Sequence, residues 1–416
     1  MNFSIDWFKT RLLDRLVRYA RINTTSDPHA DSTPSTPGQW DLLNLLVKEL
    51  DSIGVKDVEL TEAGYLIARL PATAGCETSP VVGFMAHVDT SFDAPGENVN
   101  PQVHPDYSGE KIELKNGVVL DPKSDPDLAE RKGDTIITTD GTTLLGADDK
   151  AGIAEIVTAV EWLLAHPEEK HGAVEIVFTP DEETGRGMNG FPKEKLKSSC
   201  CYTLDGDVAG TIEAECFNAE IATIVFKGVP THPGTARGIL VNAVGMAAGF
   251  VSMLPRNESP EATDERYGYY FPHEISGNAD EARLIVLLRD FEGEGLRRRR
   301  EALESFARAV EAQYPGGRVT VGSVKQYANM RNYFENEPRA IGFLEEAVRR
   351  TGLTPVVKII RGGTDGARLS EMGIPTPNFF TGGHSYHSRS EWAALGVMVS
   401  ACEVVIHLAS LWGEAS

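Results

Sequence analysis

Residues 174–183 read Val-Glu-Ile-Val-Phe-Thr-Pro-Asp-Glu-Glu, a short apolar run that ends in three consecutive acids. The run predicts a buried β-strand over residues 173–178. Neighbouring residues leave a strand end on opposite sides, so one carboxylate of Glu182 and Glu183 would bind a metal while the other faces a substrate. Three crowded acids repel one another unless a cation lies nearby. The stretch therefore predicts a metal site at the end of a strand.

Other candidate ligands also stand next to strand-like or helix-like segments. They are His87 and Asp89 after 81–86, Asp148 before the helix 151–165, Asp205 at the end of 200–204, and His387 in a glycine-rich loop. Open α/β sheets build active sites at such strand ends. Histidine with carboxylates and without thiolates suits a hydrolytic zinc site.

Each candidate also has a plainer explanation when it is taken alone. Asp148 and Asp149 would serve as a helix cap, and spacing does not decide which of the two would bridge metals. His384 competes with His387 as a ligand, and both would otherwise be ordinary loop residues. Coincidence at five separate segment ends is the weaker explanation.

Composition narrows the class of protein. The 416 residues carry a net charge of −21, which argues against nucleic acid and membrane surfaces as partners. Five cysteines without a C-x-x-C pair argue against a disulfide framework. The N-terminus lacks the pattern of a signal peptide, and the apolar stretch 393–412 is interrupted by polar residues, which favours a docked helix. We expect a cytoplasmic enzyme.

The order of predicted elements divides the chain. Residues 1–215 and 330–416 alternate strands and helices, which predicts an α/β domain whose mixed sheet has helices on both faces. Residues 216–329 follow the order β-α-β-β-α-β, which is the ferredoxin-like α+β arrangement. None of the predicted metal ligands lies in 216–329. We therefore expect an inserted lid domain over a catalytic domain.

Several longer strings support a family resemblance. They are His-Val-Asp-Thr (87–90), Leu-Leu-Gly-Ala-Asp-Asp-Lys-Ala-Gly-Ile-Ala-Glu (144–155), Phe-Thr-Pro-Asp-Glu-Glu (178–183), Thr-His-Pro-Gly-Thr-Ala (231–236) and Arg-Gly-Gly-Thr-Asp-Gly-Ala (361–367). Together they resemble the tripeptide aminopeptidases of the di-zinc exopeptidase family, which also holds carboxypeptidases, acylases and a desuccinylase. The resemblance extends from about residue 12 to residue 411.

The resemblance implies two Zn²⁺ ions per chain and a role for each matched residue. One zinc would be held by His87, Asp148 and Asp205, and Asp148 would bridge to a second zinc held also by Glu183 and His387. Glu182 would be the general base, and Asp89 would orient His87. The family also has a cis peptide after the bridging aspartate, which here is the bond between Asp148 and Asp149.

The lid segment contributes the remaining candidates. His232 matches the family's oxyanion-binding histidine, and the resemblance leaves open whether it acts within its own chain or across a homodimer. Arg289 and Arg361 are candidates for the substrate carboxylate, because guanidinium pairs with carboxylate through two hydrogen bonds. Asn242 is a further candidate for substrate binding.

The predicted function is removal of the N-terminal residue from small peptides, with tripeptides as substrates, by metal-activated water and a glutamate base. The alternatives are a related di-zinc dipeptidase, carboxypeptidase or acylase, and a non-catalytic peptide-binding protein. An intact Glu182 beside a full ligand set favours an enzyme, because a binding protein does not need a proton shuttle.

Overall fold

The computed structural model describes residues 3–415. The chain forms two compact units, one of Met1–Ala214, Tyr333–Lys358 and Thr364–Ser416, the other of Glu215–Asn332 and Ile359–Gly363. These limits lie within three residues of the boundaries predicted from sequence, except that 359–363 belongs to the second unit. The reason is local: the Arg361 guanidinium donates to the backbone carbonyls of Glu265, Tyr267 and Thr263.

The helices and strands are numbered in chain order within the described residues. The helices are α1 (Ile5–Ala20), α2 (Pro37–Ile53), α3 (Pro126–Ala129), α4 (Ala147–Ala165), α5 (Ala243–Met253), α6 (Gly293–Gln313), α7 (Arg339–Arg350), α8 (Asp365–Glu371) and α9 (Leu395–Glu414). The strands are β1 (Asp57–Leu60), β2 (Leu66–Leu70), β3 (Val82–His87), β4 (Gln102–His104), β5 (Ile112–Glu113), β6 (Val119–Leu120), β7 (Ile136–Thr138), β8 (Val174–Thr179), β9 (Cys200–Gly206), β10 (Thr211–Cys216), β11 (Asn218–Lys227), β12 (Tyr269–Gly277), β13 (Glu281–Asp290), β14 (Arg318–Tyr327), β15 (Val356–Ile360), β16 (Asn378–Phe380), β17 (Gly383–His384) and β18 (Trp392–Ala394).

An eight-stranded mixed sheet organises the first unit, in the order β1-β2-β8-β3-β9-β16-β10-β15. Strands β8, β3, β9 and β16 are parallel to one another, while β1, β2 and β10 run antiparallel to their neighbours. Alternate residues of β3 enter different cores: Phe84 joins the large core with α4 and α9, and Met85 joins a smaller core with Leu369 of α8. The sheet therefore has helices on both faces, as predicted.

Helix α4 lies tightly against the sheet. It contacts β3 and β9 as well as α1 and α9. A side chain at Gly152 would collide with the carbonyl oxygen of Leu204 at the end of β9. The glycine therefore lets the first turns of α4 approach the point where β9 delivers Asp205.

Helix α9 is the one helix in the described chain that is long and apolar enough to cross a membrane, and most of it is buried within the structure. Its inner side contacts α4, α7 and α1. This burial agrees with the predicted docked helix.

The segment 91–135 contains regular elements that no pattern in the sequence indicated. It contains the short strands β4, β5 and β6 and the one-turn helix α3, and β4 joins β7, β18 and β17 in a four-stranded sheet. Strands of two or three residues are too short to show a hydrophobic period, which is why the sequence did not reveal them.

The second unit has the predicted ferredoxin-like order of elements. Its antiparallel sheet has the strand order β12-β13-β11-β14. Helices α5 and α6 pack together on this sheet. Along β11 the side chains of Ala222, Ile224 and Phe226 are buried in the core under these helices, which is the alternation expected of a sheet covered on one face.

Candidate metal centre

The carboxyl ends of β3, β8 and β9 meet at one edge of the central sheet. His87 is the last residue of β3, and Asp205 lies near the end of β9. Glu182 and Glu183 follow β8. Because the three strands are parallel, these side chains are brought to a common edge.

Asp148 lies between the two histidines. Its Oδ1 is 2.9 Å from Nε2 of His87, and its Oδ2 is 3.2 Å from Nε2 of His387. Each carboxylate oxygen thus faces a different imidazole, which is the arrangement of a ligand shared by two metal ions. The peptide bond between Asp148 and Asp149 is cis, as the family resemblance implies.

The remaining candidates each lie near one of the two histidines. Oε2 of Glu183 is 3.0 Å from Nε2 of His387, and Oδ1 of Asp205 is 3.7 Å from Nε2 of His87. Two sets of described residues could hold a metal ion: His87 with Asp148 and Glu183, and His87 with Asp149 and Asp205.

Asp149 appears in one of these sets, so its carboxylate must be compared with that of Asp148. Both oxygens of Asp149 already accept backbone hydrogen bonds, from His87 N–H at 3.2 Å and from Gly152 N–H at 3.2 Å. The carboxylate of Asp148 faces imidazole nitrogens instead. Asp149 is therefore the residue that fixes the local backbone, and Asp148 is better placed to bridge.

The donor set fits metal ions. Oε1 of Glu183 is buried and has no hydrogen-bond partner among the described residues. A buried carboxylate oxygen without a partner is costly, and a cation held beside the two imidazoles would satisfy it. The set is built from histidine and carboxylate, which zinc accepts in hydrolytic sites.

Asp89 connects His87 to the glutamate pair. Its carbonyl oxygen lies 3.0 Å from Nδ1 of His87, and its carboxylate oxygen Oδ1 lies 3.3 Å from the same nitrogen. The two carboxylate oxygens also accept the backbone N–H groups of Glu182 at 3.0 Å and of Glu183 at 3.1 Å. Fully buried Asp89 therefore orients the imidazole and fixes the turn that carries the glutamates.

The local geometry of the glutamates differs from the sequence expectation. Strand β8 ends at Thr179, and Glu182–Thr184 forms a 3₁₀ turn that follows Asp181 with φ of 58°. The strand alternation predicted for Glu182 and Glu183 is therefore wrong, because the turn and not the pleat separates the two side chains. The Asp181 carboxylate accepts from Gln39 Nε2 at 2.8 Å, which gives it a structural role.

The pKa values of the two histidines and of Asp148 shift in opposite directions. Burial lowers the pKa of His87, but hydrogen bonds to Asp148, Asp205 and Asp89 outweigh it and hold the pKa well above its usual value. Hydrogen bonds to Asp148 and Glu183 raise the pKa of His387 to about 11. Burial acts to raise the pKa of Asp148, yet both histidines bring it below its usual range.

The other carboxyl groups shift in the opposite direction. Burial, together with the Asp148 charge, raises the pKa of Glu183 to about 7 and that of Asp205 to about 6. Burial also raises the pKa of Glu182 well above its usual value. Shifts of this size in one cluster are typical of a functional site.

Sequence reasoning missed several residues that hold the site in place. Glu391 accepts the backbone N–H groups of Leu145, Gly146 and Asp148 at 2.7, 2.8 and 3.1 Å. Asn378 Oδ1 accepts the backbone N–H of Asp205 at 3.0 Å. Nothing in the sequence distinguishes Glu391 or Asn378 from other polar residues of the chain.

Asp365 is a further buried acid that the predicted site did not include. It accepts a hydrogen bond from the Thr179 hydroxyl at 2.6 Å, and burial raises its pKa to about 7. The sequence could have indicated Asp365, because it is the aspartate of the string Arg-Gly-Gly-Thr-Asp-Gly-Ala (361–367) that supports the family resemblance.

The competing histidine is not part of the cluster. The ring of His384 stacks on Trp392 with 4.2 Å between centroids, and its Nδ1 lies 4.0 Å from Asp127. Neither histidine belongs to the groups of potential metal ligands among the described residues, but Nε2 of His387 lies 3.2 Å from Oδ2 of Asp148 and 3.0 Å from Oε2 of Glu183. The structure therefore favours His387 over His384.

The candidates of the second unit have local roles within that unit. His232 is exposed, and its Nδ1 accepts the Gly234 N–H at 3.1 Å. Asn242 caps α5 by accepting the Val244 N–H at 3.0 Å. One guanidinium nitrogen of Arg289, which is buried, donates to the Leu288 carbonyl at 3.0 Å.

Arg361, the fourth of these candidates, donates to three backbone carbonyls and to the Thr263 hydroxyl. Its guanidinium also lies over the rings of Phe217 and Tyr269. Most of its donors are therefore already used within the second unit.

Comparisons with known proteins agree over most of the chain. The model of Peptidase family M20/M25/M40 matches residues 139–411. The Peptidase T of Bacillus licheniformis is 46% identical over 408 residues, which are 98% of this chain and 99% of the relative.

Two solved structures share the fold. The aminopeptidase PepT of Bacillus cereus has a TM-score of 0.76 at 21% identity and covers 98% of this chain and 99% of its own. A tripeptidase of Staphylococcus aureus has a TM-score of 0.76 at 20% identity over 97% of this chain and 98% of its own. The family model and the near-full-length relative together place this chain in Peptidase family M20/M25/M40, as a peptide-bond hydrolase.

Proposed function

We propose that this chain is a zinc-dependent tripeptide aminopeptidase that removes the N-terminal residue from tripeptides. The observation that carries the proposal is the position of Asp148, which presents one carboxylate oxygen to His87 and the other to His387. The high identity with Peptidase T over nearly the full length supports the substrate class.

His87, Asp148 and Asp205 would hold one zinc ion, and Asp148, Glu183 and His387 would hold the other. A pair of zinc ions in such a site supplies Lewis acidity, which activates water and polarises the scissile carbonyl. Asp89 keeps His87 in the orientation needed for coordination, because it contacts Nδ1 and leaves Nε2 to face Asp148.

Glu182 would take a proton from water and return it to the leaving amine. Burial raises its pKa, and a general base works best when its pKa is close to the working pH. Its backbone is fixed by the hydrogen bond to Asp89. The turn that carries Glu182 is therefore held in place beside His87.

The second unit would act as a lid that contributes substrate contacts. His232 would donate a hydrogen bond to the oxyanion, since its Nδ1 already accepts from Gly234 and Nε2 remains to donate. Arg289 and Arg361 would bind the substrate carboxylate, and Asn242 would contact the peptide. Arg361 would first have to exchange some of its carbonyl partners.

We also propose that the enzyme is cytoplasmic and forms a homodimer. The five cysteines are free and buried, which suits a reducing compartment. Strand β12 lies at the edge of its sheet and exposes Phe271 and Ile275. An exposed edge with apolar side chains is suited to pairing with a second copy.

The deciding experiment compares kcat/KM for Ala-Ala, Ala-Ala-Ala, Ala-Ala-Ala-Ala and N-acetyl-Ala-Ala-Ala, with zinc analysis of the same sample. We expect the free tripeptide to be cleaved best, after its first residue, because a site that pairs both charged ends leaves a shorter peptide with an unpaired charge. Equal cleavage of the acetylated peptide would contradict the proposal and favour an acylase or carboxypeptidase.

A further inference from the structure

A cavity of about 370 Å³ lies in the first unit, between the segment 119–127 and the turn 384–390. Four aspartates line it, and no lysine or arginine is among its described lining residues, although Arg131 lies nearby and donates from Nε to the Asp127 backbone carbonyl at 3.3 Å. The four are Asp121, Asp125, Asp127 and Asp207. The lining therefore carries four carboxylates and no cationic side chain of its own.

Two of these aspartates are already satisfied. Asp125 accepts the Leu128 N–H at 3.0 Å and the indole N–H of Trp392 at 3.0 Å. Asp121 forms an ion pair with Lys111 at 2.7 Å. By contrast, Asp127 and Asp207 have no lysine or arginine within ion-pair distance in the described chain, although Asp207 Oδ1 accepts the backbone N–H of Val208 at 2.6 Å.

His384 is the second feature of the cavity wall. Its side chain is 7% exposed and forms no hydrogen bond with the described residues. The ring lies flat against Trp392, and the nearest acidic atom is Oδ2 of Asp127 at 4.0 Å from Nδ1. Its ring nitrogens are not among the fully buried atoms without a partner in the described residues, so they open onto the cavity and are free to hydrogen-bond a ligand there.

Size decides the kind of cation. The aspartates and His384 are not among the groups whose ligand atoms all lie within 4.8 Å of one another, so they are too dispersed for a single metal ion. A volume of about 370 Å³ instead suits an extended organic cation with an alkyl chain.

Two short chain segments each carry a cavity-lining residue and a candidate metal ligand. Asp207 follows Asp205 by two residues, and Ser385, which also lines the cavity, precedes His387 by two residues. The hydroxyl of Tyr386 donates to the Gly206 carbonyl at 2.9 Å, and this hydrogen bond connects the two segments. A peptide at the metal centre would therefore have a side chain within reach of the cavity.

We propose that this cavity binds the basic side chain of a lysine or arginine residue in the peptide substrate, with Asp127 as the principal counter-ion. The proposal rests on the proposed function for the identity of the substrate. The cation site itself does not depend on turnover.

The first test measures binding of N-butylguanidinium to the full chain by calorimetry, with neutral N-butylurea as the isosteric control. We expect the cation to bind at least about tenfold more tightly, since a charge-assisted hydrogen bond contributes this much. Asp127→Asn should remove the difference. Glu130→Gln makes the same charge change at an exposed neighbouring side chain and should preserve it. Equal binding of the two probes to the wild type overturns the proposal.

The second test compares kcat/KM for Ala-Ala-Ala analogues that carry lysine or norleucine at each of the three positions. Every peptide has the same α-ammonium, so a preference reports the side chain alone. We expect a lysine preference at one position that Asp127→Asn abolishes, while Ala-Ala-Ala cleavage changes less than about twofold. The absence of a preference at all positions overturns the proposal. Selective binding of N-butylguanidinium by a chain that cleaves none of these peptides contradicts the proposed function and supports the cation site.

Discussion

The carboxylate of Glu391 accepts the backbone N–H of Asp148 at 3.1 Å, although 243 residues separate the two along the chain. Its other oxygen accepts the N–H groups of Leu145 and Gly146. Three donors on one buried carboxylate fix the loop just before α4. The loop in turn determines where the Asp148 side chain meets the two histidines.

Replacement of this carboxylate should therefore weaken metal binding without touching a ligand. We expect Glu391→Gln to lower metal affinity by about 10–100-fold, as is typical when a partner behind the ligands is changed. The amide presents one acceptor and one donor, so one backbone N–H loses its partner. Titration with zinc measures the effect. Glu168→Gln, at an exposed position, is the control, and an affinity unchanged in both variants would contradict the positioning role of Glu391.

Loss of the shared carboxylate should affect both metal positions. We expect Asp148→Ala to reduce tight binding from two zinc ions per chain to none, because one oxygen faces each histidine. Asp205→Ala should weaken mainly one position, since His87 is the histidine that Asp205 approaches. Elemental analysis of both purified variants, with circular dichroism to check folding, distinguishes the two. A full metal complement in Asp148→Ala would reject the bridge.

The general base can be separated from the metal ligands. Glu182→Gln should retain fold and zinc but lose turnover by about 10²–10⁴-fold, because an amide does not accept the proton of water. The measurement is kcat on Ala-Ala-Ala beside the zinc content of the same preparation. Turnover within about tenfold of the wild type would remove Glu182 from this role.

The oxyanion role of His232 predicts a different pattern. His232→Ala should lower kcat by about 10²–10³-fold while zinc content stays constant, because no metal ligand is changed. Parallel loss of zinc and activity would instead make His232 a ligand or a structural residue. Gly238→Ala is not a suitable control, because that glycine has φ of 77°; the exposed Arg237→Ala is preferable.

Metal affinity should fall as the pH falls. The pKa of His387 is raised to about 11 by Asp148 and Glu183, so at pH 7 its proton must leave before the nitrogen coordinates a metal. Below about pH 7 Glu183, and below about pH 6 Asp205, also take up protons. We expect the apparent zinc affinity to rise with pH, more steeply between pH 5 and 7 than above it. Calorimetry in buffers of different ionisation enthalpy measures the proton release, and a pH-independent affinity would contradict these pKa shifts.

The local sequence was sufficient to predict the helices and strands whose formation depends on neighbouring residues. The buried strands β3 and β8 have hydrophobic patterns that are visible along the chain, and they lie within one residue of the predicted stretches 81–86 and 173–178. The order of β11, α5, β12, β13, α6 and β14 was visible for the same reason. Strands β17 and β18, with two and three residues, carried no such period.

The chemistry of the metal centre followed from residue types, but its geometry did not. The strings around His87, Asp148, Glu183, Asp205 and His387 supplied the candidate ligands and the family resemblance. The turn at Glu182–Thr184 could not be read from the sequence, because it depends on Asp181 adopting φ of 58°. The strand alternation expected there fails for that reason.

By itself, therefore, the sequence determined the ligand chemistry, the order of the elements and the family. Tertiary structure alone decided that Asp148 rather than Asp149 faces both histidines, that Glu391 holds its loop, and that residues 359–363 join the second unit. The physical reason is the range of the interactions. Period and residue type are local properties, whereas a carboxylate that meets backbone donors more than 240 residues away is positioned only when the whole sheet and its helices have packed.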